Sequence, residues 1–166
     1  MPVCHTISSR TLAKAEKMKE DYGYLYSESD YNKVVSNDEI DIIDICTPNI
    51  CHYEQIKLAL EHGKHIMCEK PLLVNEDECD KLEQLLSKYP HLIHRTVFNN
   101  RHLPVAMRAQ QIVAEGRLGR ILSFRASYRQ SSATDMSQNA GWKQDKSICG
   151  GGVLFDLGSH IIDLLL

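Results

Sequence analysis

Ile40-Asp41-Ile42-Ile43-Asp44-Ile45-Cys46-Thr47-Pro48-Asn49 is the stretch that decides the fold. Ile40 to Cys46 is β-branched and mostly apolar, the pattern of an inner strand of a parallel sheet. Pro48 closes the strand because it has no N–H to give to a ladder. Asn49 is placed to cap a helix running to about Glu61, and Gly63 ends that helix in the left-handed conformation. The same strand–helix unit recurs on either side. Downstream, His65-Ile66-Met67-Cys68 is a strand broken by Pro71, and Asn75-Glu76-Asp77-Glu78 opens a helix with acids in its first turn, ending near Tyr89-Pro90. Leu92 to Phe98 is a further strand. Upstream, Val3 to Ser9 reads as a strand end, Leu12 to about Asp21 as an amphipathic helix, Tyr24 to Tyr26 as a short strand and Tyr31 to Val35 as a short helix. Such alternation with short links predicts an α/β fold, a parallel sheet covered by helices on both faces.

After Arg101 the rhythm changes, which places a domain boundary at about residue 102. A helix is expected from Pro104 to about Glu115, ending at Gly116 and Gly119. Ile121 to Tyr128 alternates with period two, as a half-exposed strand does. Gln130 to Asn139 is polar and reads as a loop. Then comes Gly150-Gly151-Gly152-Val153-Leu154-Phe155-Asp156-Leu157-Gly158-Ser159-His160-Ile161-Ile162-Asp163. As a helix, this segment stacks Asp156, His160 and Asp163 on one face. A carboxylate one turn from an imidazole, among otherwise apolar residues, is costly to bury and suits proton transfer.

Composition narrows the classes. The chain has 166 residues, 43% hydrophobic and 25% charged, and a net charge of -3. That is a globular composition with no basic footprint for nucleic acid. No apolar run approaches a membrane span, and Met1 to His5 lacks the regions of a signal peptide, so a cytoplasmic protein is expected. The six cysteines form no CxxC pair, which favours reduced thiols over a disulfide framework or a zinc site. His52, His62 and His65 fall on separate elements, so no metal is expected.

Several ordered motifs together make the chain resemble the Gfo/Idh/MocA oxidoreductases, the family of glucose-fructose oxidoreductase and inositol dehydrogenase. They are Thr47-Pro48-Asn49 with His52, Gly63-Lys64-His65 leading to Glu69-Lys70-Pro71, Phe98-Asn99-Asn100-Arg101, Glu115-Gly116-Arg117-Leu118-Gly119, and the segment from Gly150 to Asp163. The resemblance implies a Rossmann domain over residues 1–101 and the start of a second α/β substrate domain over 102–166. It also implies an enzyme that transfers a hydride between a nicotinamide cofactor and a sugar, polyol or related hydroxyl or carbonyl compound.

By matching position, Lys70, Asp156 and His160 are the implied catalytic set. His160 would serve as base, Asp156 would orient or tune the site, and Lys70 would bond the substrate oxygen. Ser9, Arg10, Thr47, Pro48, Asn49, His52, Glu69, Lys70, Asn99 and Trp142 are implied along the cofactor. Trp142-Lys143 stands where the family commonly has Trp-Arg. Ser8-Ser9-Arg10-Thr11 falls at a strand end where an acid selects NAD and an arginine admits the 2′-phosphate, so the expectation leans to NADP over NAD.

The glycine-rich GxGxxG turn of the family, part of a βαβ portion of about 30 residues, does not occur in the sequence. With the uncapped Leu164-Leu165-Leu166 end, this leads to the expectation of a piece of a longer protein, truncated at both ends, whose parent forms homo-oligomers. The rival expectation is a non-catalytic fragment or a sensor-like member of the same fold family.

Overall fold

The computed structural model describes residues 2–129, 131, 141–142 and 145–166. Two parallel sheets carry the first half. Strand β1 (Thr6–Ser8) pairs with β2 (Tyr26–Glu28), and helix α1 (Leu12–Tyr22) crosses between them. Gly23 ends α1 at φ 72°, and the amides of Gly23 and Tyr24 both return to Lys19 O. Tyr24 therefore belongs to the helix end, and pairing starts only at Leu25 and Tyr26, whose amides donate to Cys4 O and His5 O. This moves the second strand beyond the Tyr24–Tyr26 expected from sequence.

The second sheet runs β3 (Ile42–Ile45), β4 (His65–Glu69), β5 (His94–Val97), all parallel, with β4 in the middle. Helix α2 (Tyr31–Val35) precedes β3, α3 (His52–Glu61) joins β3 to β4, and α4 (Glu76–Leu86) joins β4 to β5. The Asn75 side chain caps α4 by accepting the Glu78 N–H at 2.9 Å. Asn49 does not cap α3. It opens a 3₁₀ turn (Asn49–Cys51) ahead of that helix, and its amide is directed elsewhere.

Helices α2, α3 and α4 meet the sheet in a single core, with Val35, Ile43, Ile45, Ile56, Leu60, Ile66 and Leu82 among its members. The core is one-sided. On the opposite face Ile42 is 57% exposed and Met67 42%. An inner parallel strand buried on both faces was the expectation; here the helices cover one face, so β3 alternates exposed and buried.

Helix α5 (Pro104–Ala114) has no buried residue. Residues 121–128, expected as a strand, are described as exposed chain without strand pairing. A strand needs a neighbour for its backbone N–H and C=O groups, and among the described residues none lies alongside. The loop expected at Gln130 to Asn139 lies outside the described residues apart from Ser131.

The chain closes with α6 (Lys146–Cys149), a π-helical turn (Leu154–Gly158) and α7 (Ser159–Leu165). By length and hydropathy Ser147–Leu165 is long and apolar enough to cross a membrane, contrary to the sequence expectation that no run approaches that size. Its polar residues instead bind it to the rest of the chain: Asp156 is ion-paired with Lys70 and Asp163 with Arg101.

Leu60 is fully buried in the core, so Leu60→Ala should cost about 2–5 kcal/mol, read as a lower urea midpoint. Leu122 is 83% exposed; Leu122→Ala should cost about 0.5 kcal/mol or less.

Candidate active site

In open parallel sheets, ligands bind beyond the carboxyl ends of the strands. Here a cavity of about 200 Å³ opens beyond β3 and β4. One wall is the chain leaving those strands, with Cys46, Thr47, Asn49, Glu69, Lys70 and Pro71; the other includes Trp142, Cys149, Phe155 and Asp156.

Lys70 follows β4 directly and crosses to the far wall. Its Nζ donates to Asp156 Oδ1 at 2.8 Å and to Asp156 O at 2.5 Å. The two side chains are 11% and 28% exposed, so each charge depends on the other in place of water. The Lys70–Pro71 peptide bond is cis.

Three groups set the β3 side. The Thr47 hydroxyl donates to Gln55 Oε1 of α3 at 2.6 Å. Asn49 Nδ2 donates to Cys149 O at 2.7 Å, joining positions 100 residues apart. His52 is fully buried, with Nε2 2.9 Å from Thr47 O and Nδ1 3.0 Å from Pro71 O and 3.2 Å from Leu72 O. Its ring lies between the chain after β3 and the chain after β4, and both nitrogens face backbone carbonyls rather than the cavity.

The opposite wall depends on the glycines. Gly150 and Gly152 have φ of +86° and +58°, values that favour glycine. A Cβ on Gly151 would stand 2.1 Å from the Phe155 ring. The run is thus a close-packed bend rather than a flexible turn, and it lets Phe155 lie against backbone at the cavity.

The π turn carries Asp156. Because a π turn closes one residue later than an α turn, the expected single stack of Asp156, His160 and Asp163 is opened out. Asp156 meets Lys70, Asp163 meets Arg101, and His160 sits against the Phe98 and Tyr128 rings. His160 is 8% exposed. Burial, and then the Lys70 ammonium, push its imidazole below the ordinary 6.5. The carboxylates of Asp156, Glu69 and Asp163 oppose that shift.

Of the residues expected from sequence, Thr47, Asn49, Glu69, Lys70, Trp142 and Asp156 line the cavity. His160 lies within electrostatic reach of Lys70 and Asp156 without lining it. Pro48 and His52 are not among the residues lining the cavity. Asn99 lies exposed in the 3₁₀ turn after β5, and Arg10 is exposed beyond β1, next to Ser9, whose amide donates to Glu28 O. Cys46, Cys149 and Phe155 are wall residues that the sequence reading did not single out. For Phe155 the signal was present: it stands four residues after Gly151, where a helix brings a ring over a position lacking a Cβ.

A scan of family sequence patterns matches residues 4–96 to the oxidoreductase family with an NAD-binding Rossmann fold, GFO_IDH_MocA. Residues 106–166 match the GFO/IDH/MocA C-terminal domain. The chain belongs to the Gfo/Idh/MocA oxidoreductase family. Within it, the chain is 35% identical to levoglucosan dehydrogenase of Pseudarthrobacter phenanthrenivorans over 164 residues, covering 99% of this chain and 42% of that protein. It is 26% identical to scyllo-inositol 2-dehydrogenase (NADP(+)) IolW of Bacillus subtilis, over 98% of this chain and 44% of the relative. Among solved structures, a levoglucosan dehydrogenase complex with NADH and levoglucosan superposes with a TM-score of 0.93 at 35% identity, over 98% of this chain and 44% of that one. The chain thus spans less than half the length of these family members.

Burial and the nearby Asp44 carboxylate push the Cys46 thiol up to about 11, so although exposed it stays protonated near neutrality. Alkylation of Cys46 by iodoacetamide, followed by peptide mass spectrometry, should accelerate about tenfold per pH unit between about pH 7 and 9. A rate that levels off within that range would show a thiolate forming much earlier.

Proposed function

We propose that this chain is the cofactor-facing part of an NAD(P)-dependent dehydrogenase or reductase acting on a sugar, polyol or related hydroxyl or carbonyl compound. The observation that carries the reading is the Lys70–Asp156 pair across the cavity, with the neutral-leaning His160 imidazole beside it. The division of labour is a Rossmann domain over residues 1–101 and the start of a substrate domain over 102–166. The relatives support the substrate class: one is named for levoglucosan and another for scyllo-inositol.

The wall chemistry fits a nicotinamide and a hydroxylated substrate. The cavity joins an aromatic and sulfur-lined surface to an ammonium and a carboxylate, though at about 200 Å³ it is below the roughly 300–1,000 Å³ of an ordinary ligand site. It therefore holds the reacting end rather than a whole dinucleotide. When bound, the nicotinamide accepts or returns the hydride. Thr47, Pro48, Asn49, Glu69, Asn99 and Trp142 would flank it, His52 would fix the wall behind it, and Ser9 and Arg10 would meet the ribose end.

The remaining chemistry belongs to the protein. An alcohol losing hydride must also lose its hydroxyl proton. His160, held neutral by burial and by Lys70, is the group able to take that proton near neutral pH. Lys70 offers an ammonium to the substrate oxygen and stabilises negative charge as it develops there. Asp156 holds Lys70 in place until substrate arrives and balances its charge afterwards. In the full-length parent a homo-oligomer is the expected assembly.

Calorimetric titration of the purified chain with NADPH and NADH tests the reading: micromolar binding of either supports it, and failure of both to bind favours the non-catalytic alternative. Arg10→Ala should weaken NADPH about tenfold or more while leaving NADH nearly unchanged, whereas equal losses would remove the NADP preference. In a full-length parent, His160→Ala should lower turnover about 10²–10⁴-fold with cofactor affinity retained.

A further inference from the structure

Behind the cavity a second cluster converges on His160 from the chain after β5. Arg101, in the 3₁₀ turn Asn99–His102, donates from Nε to Asp163 Oδ2 at 2.7 Å and from Nη2 to the other carboxylate oxygen. The Asp163 side chain is only 5% exposed while that of Arg101 is 59% exposed, so the fork reaches inward from solvent to a buried acid. The same guanidinium carbon lies 5.6 Å from the centre of the Phe98 ring. Phe98 meets the His160 ring edge-on, with centroids 6.0 Å apart and planes at 83°. Tyr128 also meets it, at 6.2 Å and 63°.

His160 itself lacks the usual means of orientation. Its Nδ1 is buried with no hydrogen-bond partner among the described residues. A proton-exchanging histidine is ordinarily turned to its task by a bond on its second nitrogen. Here the ring is flanked by Phe98 and Tyr128, on a helix whose Asp163 is held by Arg101.

We infer that Arg101 is the positioning residue for His160, acting through Phe98 and Asp163 without touching the imidazole. Asp163 stands one turn after His160 on α7, so a bidentate grip on it fixes the rotation of that helix about its axis. A lysine could supply the charge but neither the planar fork nor the stacked contact on Phe98. The grip also sets the field at His160. The groups facing the imidazole are Lys70 and Glu69 at the end of β4, Asp156 and Asp163 on its own helical stretch, and the Tyr128 phenol. Arg101 offsets the Asp163 charge, leaving Lys70 to dominate. The inference rests on the dehydrogenase reading only for the use made of His160; the clamp stands without it.

The test is an NMR titration of the His160 ring carbons in the whole chain, which needs neither cofactor nor turnover. In Arg101→Ala the Asp163 carboxylate is no longer offset and the ring loses cover, so the His160 midpoint should rise by about half a unit or more. In Asp163→Asn a carboxylate that favours the imidazolium is gone and Arg101 is left uncompensated, so the midpoint should fall. Arg101→Lys should lie between wild type and Arg101→Ala.

Mere loosening of the packing would move both variants the same way, upward, toward an exposed histidine. An unchanged midpoint in Arg101→Ala, or an unchanged or raised one in Asp163→Asn, overturns the inference. Should Arg101→Ala fail to fold, the sign of the Asp163→Asn shift decides alone. Shifts of the expected signs in a chain that binds no nicotinamide would uphold the clamp while removing the dehydrogenase reading.

Discussion

The Lys70–Asp156 pair is the interaction on which the arrangement of the two halves depends. It belongs to a series. Asn49 follows β3, Lys70 follows β4 and Arg101 follows β5, and they bind Cys149, Asp156 and Asp163 respectively. The three partners recur every seven residues along the closing helical stretch. Asp156 and Asp163 thus lie about two helical turns apart, while the Gly150–Gly152 bend separates Cys149 from them. The middle contact joins two charges away from water, where loss of either partner strands the other. Apolar packing contributes less here, since Val153, Leu154 and Ile162 of the same stretch are exposed.

This polar fastening explains why the cavity has its composition. A wall held by hydrophobic contact would close on itself. A wall held at the strand ends by an amide, an ammonium and a guanidinium leaves an open space, lined by Asn49, Cys149, Lys70 and Asp156, with Arg101 and Asp163 holding from outside it. On the other side the buried His52 ring is wedged between Thr47 O and the Pro71 and Leu72 carbonyls, donating from whichever nitrogen bears the hydrogen. The cavity is therefore bounded by short hydrogen bonds on both sides, which keeps Lys70 directed across it.

Most of the fold was legible in the sequence because it rests on local signals. The β-branched run before Pro48, the left-handed Gly63, the Asn75 cap and the α2 helix at Tyr31–Val35 are fixed by residues close in sequence. The misreadings came where a distant partner decides. Asn49 has the chemistry of a helix cap, yet its amide is taken by a carbonyl on the far side of the cavity. Ile121 to Tyr128 has a strand's alternation but, among the described residues, no strand beside it. Ile42 and Met67 have the side chains of a doubly covered sheet, but the covering helices lie on one face. In the site, the residue types at Lys70, Asp156 and His160 were readable from spacing and resemblance. The π turn that separates their directions was not, since no local residue pattern announces it.

The one-sided sheet bears on how the chain behaves at high concentration. Strand β3 pairs only with β4 among the described residues, so its outer rim offers a row of unused donors and acceptors. Ile42 stands exposed beside that rim. Natural sheets blunt such rims with lysine, proline or a bulge, and Ile42-Ile43-Asp44-Ile45 has a single acid for the purpose. A net charge of only -3 gives weak mutual repulsion between copies. The open rim of β3 and this weak repulsion act together, so self-association should depend on salt as well as on concentration.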